Sequence, residues 1–211
     1  MTAERPRLAV DLFAGTGGAT AAFLDAGWDV IRVDANPRAA GFTTRTAANI
    51  CADVRARHFW WGPSDRRPDL LWASPPCTEF SDANPHRPAR PSLELVHAVL
   101  EAVADLKPRF WVLENVRGAI PYLGIPAQKV GPWCLWGYFP PIRATFTAQT
   151  HRKSDVHTAV ARGAVPYALS RALLEAVELY RDVPSLLDLR PFRRHRHRAD
   201  PRRRTADATL L

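Results

Sequence analysis

The chain has 211 residues with a formal net charge of +8, and 46% of the residues are apolar and 24% charged. These values predict a single globular domain with a sizeable core. No stretch approaches the roughly 20 apolar residues of a membrane helix, and the start MTAERPRLAV lacks the apolar segment of a signal peptide. We therefore expect a cytoplasmic protein with no membrane partner.

The predicted elements alternate between strand and helix along the chain. Strands are predicted at 8–13, up to Asp34, near Asp53, and at 70–73, 110–113 and 133–138. Helices are predicted over 17–27, over 38–49, over the stretch with apolar Leu93, Val96, Leu100 and Val103, and from Pro166, at about the first helical position, to about 183. This alternation predicts an α/β fold, a mainly parallel open sheet with helices on both faces.

A basic tail follows the last predicted helix. From Arg190 onward eight arginines stand against two aspartates, whereas the preceding residues are nearly neutral. We predict one domain over 1–186 and a flexible arginine-rich tail over 187–211. Such a tail is typical of a nucleic-acid partner and, equally, of a solvated chain end. Its candidate nucleic-acid contacts are Arg193, Arg194 and Arg196.

A glycine-rich turn, DLFAGTGGAT, follows the first predicted strand. Glycines at the start of a helix let the backbone approach a ligand closely. Asp34 ends the next strand, 19 residues after Gly15, at a position from which an acidic residue bonds ribose hydroxyls. The pattern predicts a nucleotide-like cofactor, and a tight turn without a ligand is the alternative. Asp53 is interpreted either as an acceptor for an adenine amino group or as a plain turn residue.

Two further motifs, SPPC with Cys77 and VLENV with Glu114, also follow strand ends. In an open α/β sheet such loops meet at one crevice. Two prolines hold the Cys77 sulfur in a fixed position, which suits a thiolate nucleophile, although a lone Pro-Pro-Cys is more often structural. A carboxyl group in an apolar setting keeps its proton and can donate it, which suits Glu114, unless Glu114 only caps a turn. Asn115 is predicted to fix the loop through backbone hydrogen bonds.

Together these motifs resemble the DNA (cytosine-5)-methyltransferases. DLFAGTGGAT, VDANP, CADV, SPPCTEFS, LENVRG and GAVPYALSRALLEAV occur in the order and rough spacing of that family, over about residues 8–180. A cysteine directly after the two prolines favours methylation of carbon over methylation of nitrogen. The short middle of the chain is similar to that of phage-type members with a reduced target recognition region.

The resemblance implies transfer of a methyl group from S-adenosylmethionine to C5 of cytosine in DNA. Cys77 would attack C6 and so make C5 nucleophilic, while Glu114 would donate a proton at N3. The base would have to be flipped out of the duplex. The setting implied is a bacterium or a phage-infected host, with a role such as restriction-modification.

The resemblance also implies a set of cofactor residues at the strand ends and at the start of the last helix. These are Phe13, Gly15, Thr16, Gly17, Asp34, Asp53, Val54, Pro75, Ala164 and Val165. No metal is expected, because no pair of cysteines or of cysteine and histidine has the spacing of a zinc site.

The chain departs from the family pattern in two places. In the family's Gln-x-Arg-x-Arg element Gln128 is present, but Val130 and Pro132 stand where arginines are expected. Lys129, Arg143 and Arg152 are the candidate replacements. Only about 26 residues separate Trp136 from Gly163, which leaves few side chains to identify bases. A partner subunit or the basic tail would then supply DNA contacts.

Several alternatives stay open at this point. One is a catalytically weak or inactive nucleic-acid-binding member of the same fold, and another is the same chemistry on RNA or single-stranded DNA. Transfer of a group other than methyl has no specific support. The tryptophan pairs at 60–61 and at 133 and 136 are expected in the core, with base stacking as the alternative. Cys51 and Cys134 are expected to be buried and inert.

Overall fold

The computed structural model describes residues 6–37, 47–56, 66–144 and 165–180. The strands are β1 (Leu8–Leu12), β2 (Asp29–Asp34), β3 (Ala47–Cys51), β4 (Leu70–Ala73), β5 (Phe110–Asn115), β6 (Gln128–Val130) and β7 (Trp133–Tyr138). The α-helices are α1 (Ala21–Asp25), α2 (Glu94–Leu106), α3 (Ile120–Leu123) and α4 (Tyr167–Leu179), and 3-10 turns precede α1 (Gly18–Thr20) and α3 (Arg117–Ala119).

The seven strands form one sheet in the order β3-β2-β1-β4-β5-β7-β6. The first five strands of this order are parallel to one another, and β7 runs antiparallel to both of its neighbours. The predicted Rossmann-like, mainly parallel α/β sheet is therefore confirmed. Chain order reverses between β1 and β4, and in open sheets a ligand crevice forms at such a switch point, outside the carboxyl ends of the strands.

Both faces of the sheet are buried, which explains why the central strands are almost continuously apolar. One face packs against α4, where Leu169 and Leu173 are fully buried beside Trp72. The other face packs against α2 through residues that include Val96 and Val99. Since successive strand residues point to opposite faces, each strand contributes alternately to the two cores.

A buried serine on α4 ties this helix to the turn that begins α1. The Ser170 hydroxyl donates to the carbonyl of Ala19 at 2.7 Å and accepts the N–H of Ala22 at 3.1 Å. The side chain thus satisfies a helix-terminal donor inside the core, where an unpaired one would be costly. These bonds place Val165, just before α4, against the glycine turn that follows β1.

Two sequence predictions about elements need correction. The helix predicted over 38–49 is wrong at its end, because residues from Ala47 form β3, and the rest lies outside the described residues. The polar strand β6 was not predicted, since it is defined only by pairing with β7. Pro166 precedes the first turn of α4 as its cap.

Other predicted elements are confirmed with small shifts. β5 extends through Glu114 to Asn115, so the predicted proton donor lies inside the strand end. Among the described residues, no helix combines the length and hydropathy needed to span a membrane. The predicted domain limit at 186 and the tail over 187–211 lie outside the described residues.

The α4 core contact gives a stability prediction. Leu173→Ala should lower the free energy of unfolding by about 2–5 kcal/mol, because a fully buried leucine leaves a cavity in a packed interior. Urea unfolding followed by circular dichroism measures the change. Leu179→Ala is the matched control, because Leu179 is on the same helix and is 74% exposed, and its change should stay within about 0.5 kcal/mol. Equal losses in the two variants would contradict this packing.

Candidate active site

The turn after β1 is held by the carboxylate at the end of β2. The N–H of Gly15 donates to Asp34 Oδ2 at 2.8 Å, and the N–H of Asn36 donates to Asp34 Oδ1 at 2.8 Å. Gly15 has φ 53°, and no other heavy atom lies within 4 Å of the place where its Cβ would be. The backbone of the turn is thus open toward solvent at the point where the sequence predicts a ligand.

A buried polar network supports the same turn from below. Arg32 is 4% exposed, and its guanidinium donates to the carbonyl of Gly17 at 2.9 Å and to the Thr20 hydroxyl at 3.2 Å. The Thr20 hydroxyl in turn donates to Asp11 Oδ2 at 2.8 Å. Gly17 has φ 76°, and a Cβ there would collide with the guanidinium, so glycine is required.

A cleft opens between this turn and the end of β4. It measures about 400 Å³ including its open mouth. Its lining brings together the following residues: Asp11, Phe13, Ala14, Gly15, Thr16, Gly18, Ala19, Trp72, Ser74 and Val165. Four predicted cofactor residues (Phe13, Gly15, Thr16 and Val165) therefore share one cleft. Gly17 packs on Arg32 instead of lining the cleft, and Ala164 lies outside the described residues.

Asp11, Trp72 and Ser74 are cleft residues that the sequence reasoning missed. Asp11 is 1% exposed, and burial raises the pKa of its carboxyl group to about 7, against the opposing effects of the Thr20 hydrogen bond and the Arg32 charge. The signal was present in the sequence, since Asp11 opens the DLFAG motif. Its apolar neighbours made it look like part of a buried strand and nothing more.

The loop after β4 carries Cys77 behind a buried and an exposed proline. The carbonyl of Cys77 accepts the N–H groups of Phe80 at 3.0 Å and of Ser81 at 2.9 Å, which closes a tight turn. The Asn115 side-chain amide donates to the carbonyl of Pro75 at 3.1 Å and accepts the N–H of Val116 at 2.9 Å. The hydrogen bonds predicted for Asn115 are therefore present, and they join the loop after β4 to the end of β5.

Glu114 lies on β5 with its carboxyl group directed toward the end of β4. Burial raises the pKa of this carboxyl to about 7, although a hydrogen bond from the Ser74 hydroxyl acts in the opposite direction. Ser74 also accepts the indole N–H of Trp72 at 2.7 Å. Since Ser74 and Trp72 line the cleft, Glu114 is one side chain away from it.

Cys77 and Glu114 lie close enough to influence each other electrostatically. Cys77 is half-buried, and burial and then the negative charge of Glu114 raise the pKa of its thiol. A neutral Glu114 removes the second effect, so protonation of the carboxyl favours ionisation of the thiol. The structure thus brings together the two side chains that the sequence singled out for chemistry.

A second cleft is lined in part by Pro75 and Pro76, which do not line the first. It is lined by Pro75, Phe80 and Leu95 among others, and at its rim Arg55 donates to Glu94 at 3.0 Å. Arg55 also donates to Asp53 at 2.6 Å, and these hydrogen bonds lower the pKa of the Asp53 carboxyl to about 2. Pro75 therefore lines the second cleft and not the first. Val54 is 2% exposed and packs in the core.

The predicted nucleic-acid residues are only partly described. Lys129 is exposed on β6, in register with Cys134, which itself pairs with Asn115. Arg143 is exposed, and the chain before it is fixed because the Gln128 amide bonds the backbone of Ile142 at 2.6 and 2.9 Å. The remaining predicted residues lie outside the described residues: Arg152, Arg193, Arg194 and Arg196.

The expectations for the other cysteines and the tryptophans have mixed outcomes. Cys134 is buried as predicted, but Cys51 is exposed, because it ends the edge strand β3. Trp136 is 8% exposed in the core on the α2 side of the sheet, and Trp133 is partly buried against the core on the α4 side, as expected. The pair at 60–61 lies outside the described residues. Within the described ranges, no group of three or more His, Cys, Asp or Glu side chains is placed to hold a metal ion.

The sequence of this chain is similar to those of known DNA methyltransferases. Residues 8–121 match the family model of C-5 cytosine-specific DNA methylases. The type II methyltransferase M.XorII of Xanthomonas oryzae pv. oryzae is 32% identical over 53% of this chain and 28% of its own length. The type II methyltransferase M.AplI of Arthrospira platensis is 30% identical over 53% of this chain and 32% of its own length. The match thus spans about a third or less of these relatives.

Solved structures show a weaker likeness. A SAM-dependent methyltransferase from Agrobacterium tumefaciens aligns with a TM-score of 0.38 and 25% identity, over 55% of this chain and 40% of its own. A DNMT2 mutant from Spodoptera frugiperda aligns with a TM-score of 0.39 and 19% identity, over 56% and 38%. These scores add nothing to the family match. Because that match covers more than half of the chain and includes the glycine turn, Cys77 and Glu114, the chain belongs to the C-5 cytosine-specific DNA methylase family.

Proposed function

We propose that this chain transfers a methyl group from S-adenosylmethionine to C5 of cytosine in DNA, through a covalent bond between Cys77 and C6. The observation that carries the proposal is that Cys77 and Glu114 lie within electrostatic range of each other, at the ends of the strands whose loops meet near the cleft of the glycine turn. Both residues lie inside the part of the chain that matches the family.

The cleft fits the proposed cofactor. The open backbone at Gly15 gives a nucleoside close access, and the Asp34 carboxylate beside it retains lone pairs for ribose hydroxyls. Asp11, at the floor of the cleft, is the acidic group available to an ammonium ion. When bound there, S-adenosylmethionine supplies an electrophilic methyl group. Phe13, Thr16 and Val165 would enclose it.

The two side chains divide the remaining chemistry between them. The Cys77 proton leaves to solvent, and the thiolate adds to C6 of the flipped base while Glu114 gives its proton to N3, so that C5 becomes nucleophilic. After methylation, the C5 proton leaves to water. The thiolate is then expelled from C6, and N3 returns its proton to Glu114. Asn115 holds the Cys77 loop in place throughout, through its bond to Pro75.

The protonation states of Cys77 and Glu114 are coupled in a direction that suits this reaction. In the free chain both pKa values are raised, that of Glu114 to about 7 by burial and that of Cys77 by burial and then by the charge of Glu114. A cytosine whose N3 accepts the Glu114 proton adopts the position in which Cys77 can attack C6. The raised pKa keeps the thiol protonated in the absence of a base, which protects the free chain from oxidation.

One observation favours a second candidate function, nucleic-acid binding without turnover. Val130 stands where the family carries an arginine, and it is 3% exposed in the core. The neighbouring Lys129 is exposed and charged, so we propose it as the residue that contacts the cytosine in the active enzyme. RNA and single-stranded DNA remain alternative substrates, and a partner subunit or the tail over 187–211 would add DNA contacts.

The covalent step is tested by trapping. Incubation with 5-fluorocytosine-containing duplex DNA and S-adenosylmethionine should give an adduct that survives denaturing electrophoresis, because fluorine at C5 blocks the final elimination. Cys77→Ser should abolish the adduct and lower methylation by roughly 10³-fold or more, with S-adenosylhomocysteine binding unchanged in calorimetry. Cys51→Ser, an exposed thiol on β3, is the control and should retain both.

The outcomes of the trapping experiment separate the alternatives. No adduct with wild-type protein on duplex DNA, single strands or RNA, despite binding, would favour the non-catalytic function. An adduct that persists in Cys77→Ser would contradict the proposed nucleophile. An adduct on RNA or single strands alone would reassign the substrate.

The raised pKa of Glu114 gives a prediction for stability against pH. The folded carboxyl titrates near 7 and the unfolded one near its ordinary value, so folding takes up a proton between these values and stability falls as pH rises through them. Glu114→Gln removes this penalty. It should raise the free energy of unfolding by about 1–3 kcal/mol at pH 8 and leave it unchanged at pH 4.

The same substitution should lower methylation by roughly 10²–10⁴-fold, because the amide cannot transfer a proton to N3. Urea unfolding at the two pH values and a methylation assay measure the two effects. Glu101→Gln, on the exposed side of α2, is the control and should change neither. The quantity to compare is the free energy of unfolding of Glu114→Gln minus that of wild type at each pH. A smaller difference at pH 8 than at pH 4 would contradict the assigned effect of burial.

A further inference from the structure

The segment that connects β5 and β6, residues 116–127, contains the second 3-10 turn and α3 and is called the β5–β6 loop below. It presents three exposed side chains. The Arg117 side chain is 80% exposed, and the residues Tyr122 and Ile125 are 44% and 90% exposed. A single exposed apolar residue is normal at a protein surface. Here an aromatic, an aliphatic and a cationic side chain share one short loop that begins directly after Glu114 and Asn115.

The β5–β6 loop packs against the loop that carries Cys77. The backbone N–H of Phe80 donates to the Cys77 carbonyl, and the centroid of the Phe80 ring lies 5.9 Å from that of the Tyr122 ring. Gly118 packs against the Phe80 carbonyl so closely that any Cβ there would collide with it. On the other side, the indole N–H of Trp136 donates to the carbonyl of Gly124 at 2.9 Å. These contacts hold the backbone of the β5–β6 loop beside the loop that carries Cys77.

The charged side chains of the segment over 115–144, which contains the β5–β6 loop, are all positive. From 115 to 144 the chain carries Arg117, Lys129 and Arg143 and no Asp or Glu. Burial raises the pKa of the Cys134 thiol, the charges of Lys129 and Arg117 act to lower it, and the charge of Glu114 raises it. The two cations therefore lie near β7, beside the candidate site. Asp82 lies 3.9 Å from Arg117 but makes its short contact, 2.6 Å, with Arg87.

We propose that the β5–β6 loop is a nucleic-acid contact surface, on which Arg117 meets a backbone phosphate and Tyr122 and Ile125 contact the nucleotides beside the target base. The identity of that base rests on the proposed function, while the binding itself does not. A polyanion matches this excess of cations, because Asp82, the acid near Arg117, makes its short contact with Arg87. Two separate apolar side chains fall short of the patch that a stable protein partner requires.

Fluorescence anisotropy with a labelled mixed-sequence duplex and S-adenosylhomocysteine, between 50 and 200 mM salt, tests the proposal. Arg117→Ala should weaken binding and reduce the slope of log affinity against log salt by about 1, the value for one lost phosphate contact. Tyr122→Ala and Ile125→Ser should raise the dissociation constant by up to roughly tenfold without changing that slope, because stacking and apolar contacts release no counterions.

Two residues on α4 are matched controls, because α4 covers the opposite face of the sheet. Arg171→Ala and Leu179→Ser replace side chains that are as exposed as those of the loop, and should leave affinity and slope unchanged. Loop variants that bind like wild type, an unchanged slope in Arg117→Ala, or equal effects of the α4 variants would overturn the proposal.

Failure of this inference can be told from failure of the proposed function by the covalent adduct. An adduct in wild type together with unaltered binding by the loop variants refutes the surface and leaves the function standing. Binding that depends on Arg117 without any adduct refutes the catalytic function and leaves the surface standing. A wild-type chain that binds no duplex under these conditions overturns the surface, and the adduct assay then decides the function separately.

Discussion

The hydrogen bond from the Asn115 side chain to the carbonyl of Pro75 holds the candidate site together. It joins the ends of β4 and β5, and so fixes the Cys77 loop relative to Glu114, which precedes Asn115 in the same strand. Both groups are buried, where an unmade bond would leave an amide and a carbonyl unsatisfied. The two prolines then restrict the loop further, so the position of the sulfur follows from the sheet and not from loop mobility.

A second constraint acts on the other side of the switch point. Arg32, Thr20 and Asp11 form a buried chain of hydrogen bonds below the glycine turn, and Asp34 holds the turn from its edge. A buried cation and a buried carboxyl group are stable only when they are paired in this way. The network explains how a turn rich in glycine, which is intrinsically flexible, keeps an open shape that a cofactor can enter.

The electrostatics of the site link these two halves. Ser74 lines the cleft and also donates to Glu114, and the charge of Glu114 acts on Cys77. A change at the cleft can therefore reach the sulfur through two neighbouring side chains. Burial raises the pKa values of Asp11 and Glu114 to about 7, a type of perturbation that clusters at functional sites.

The sequence by itself determined the alternating elements, the glycine turn with Asp34, and the pair Cys77 and Glu114, because each follows from apolar periodicity or from a motif at a strand end. Only the tertiary structure decided β6 and the bounds of β3, which the sequence predicted as a short strand near Asp53, since short edge strands are defined by pairing with a neighbour and not by their own composition. It also decided that Asp11, Arg32 and Ser74 belong to the site, and that Cys51 is exposed. Burial, pairing of charges and contacts across distant strands arise only when the sheet is assembled, so a local motif such as the one that Asp11 opens does not show by itself which of its residues lie in the site.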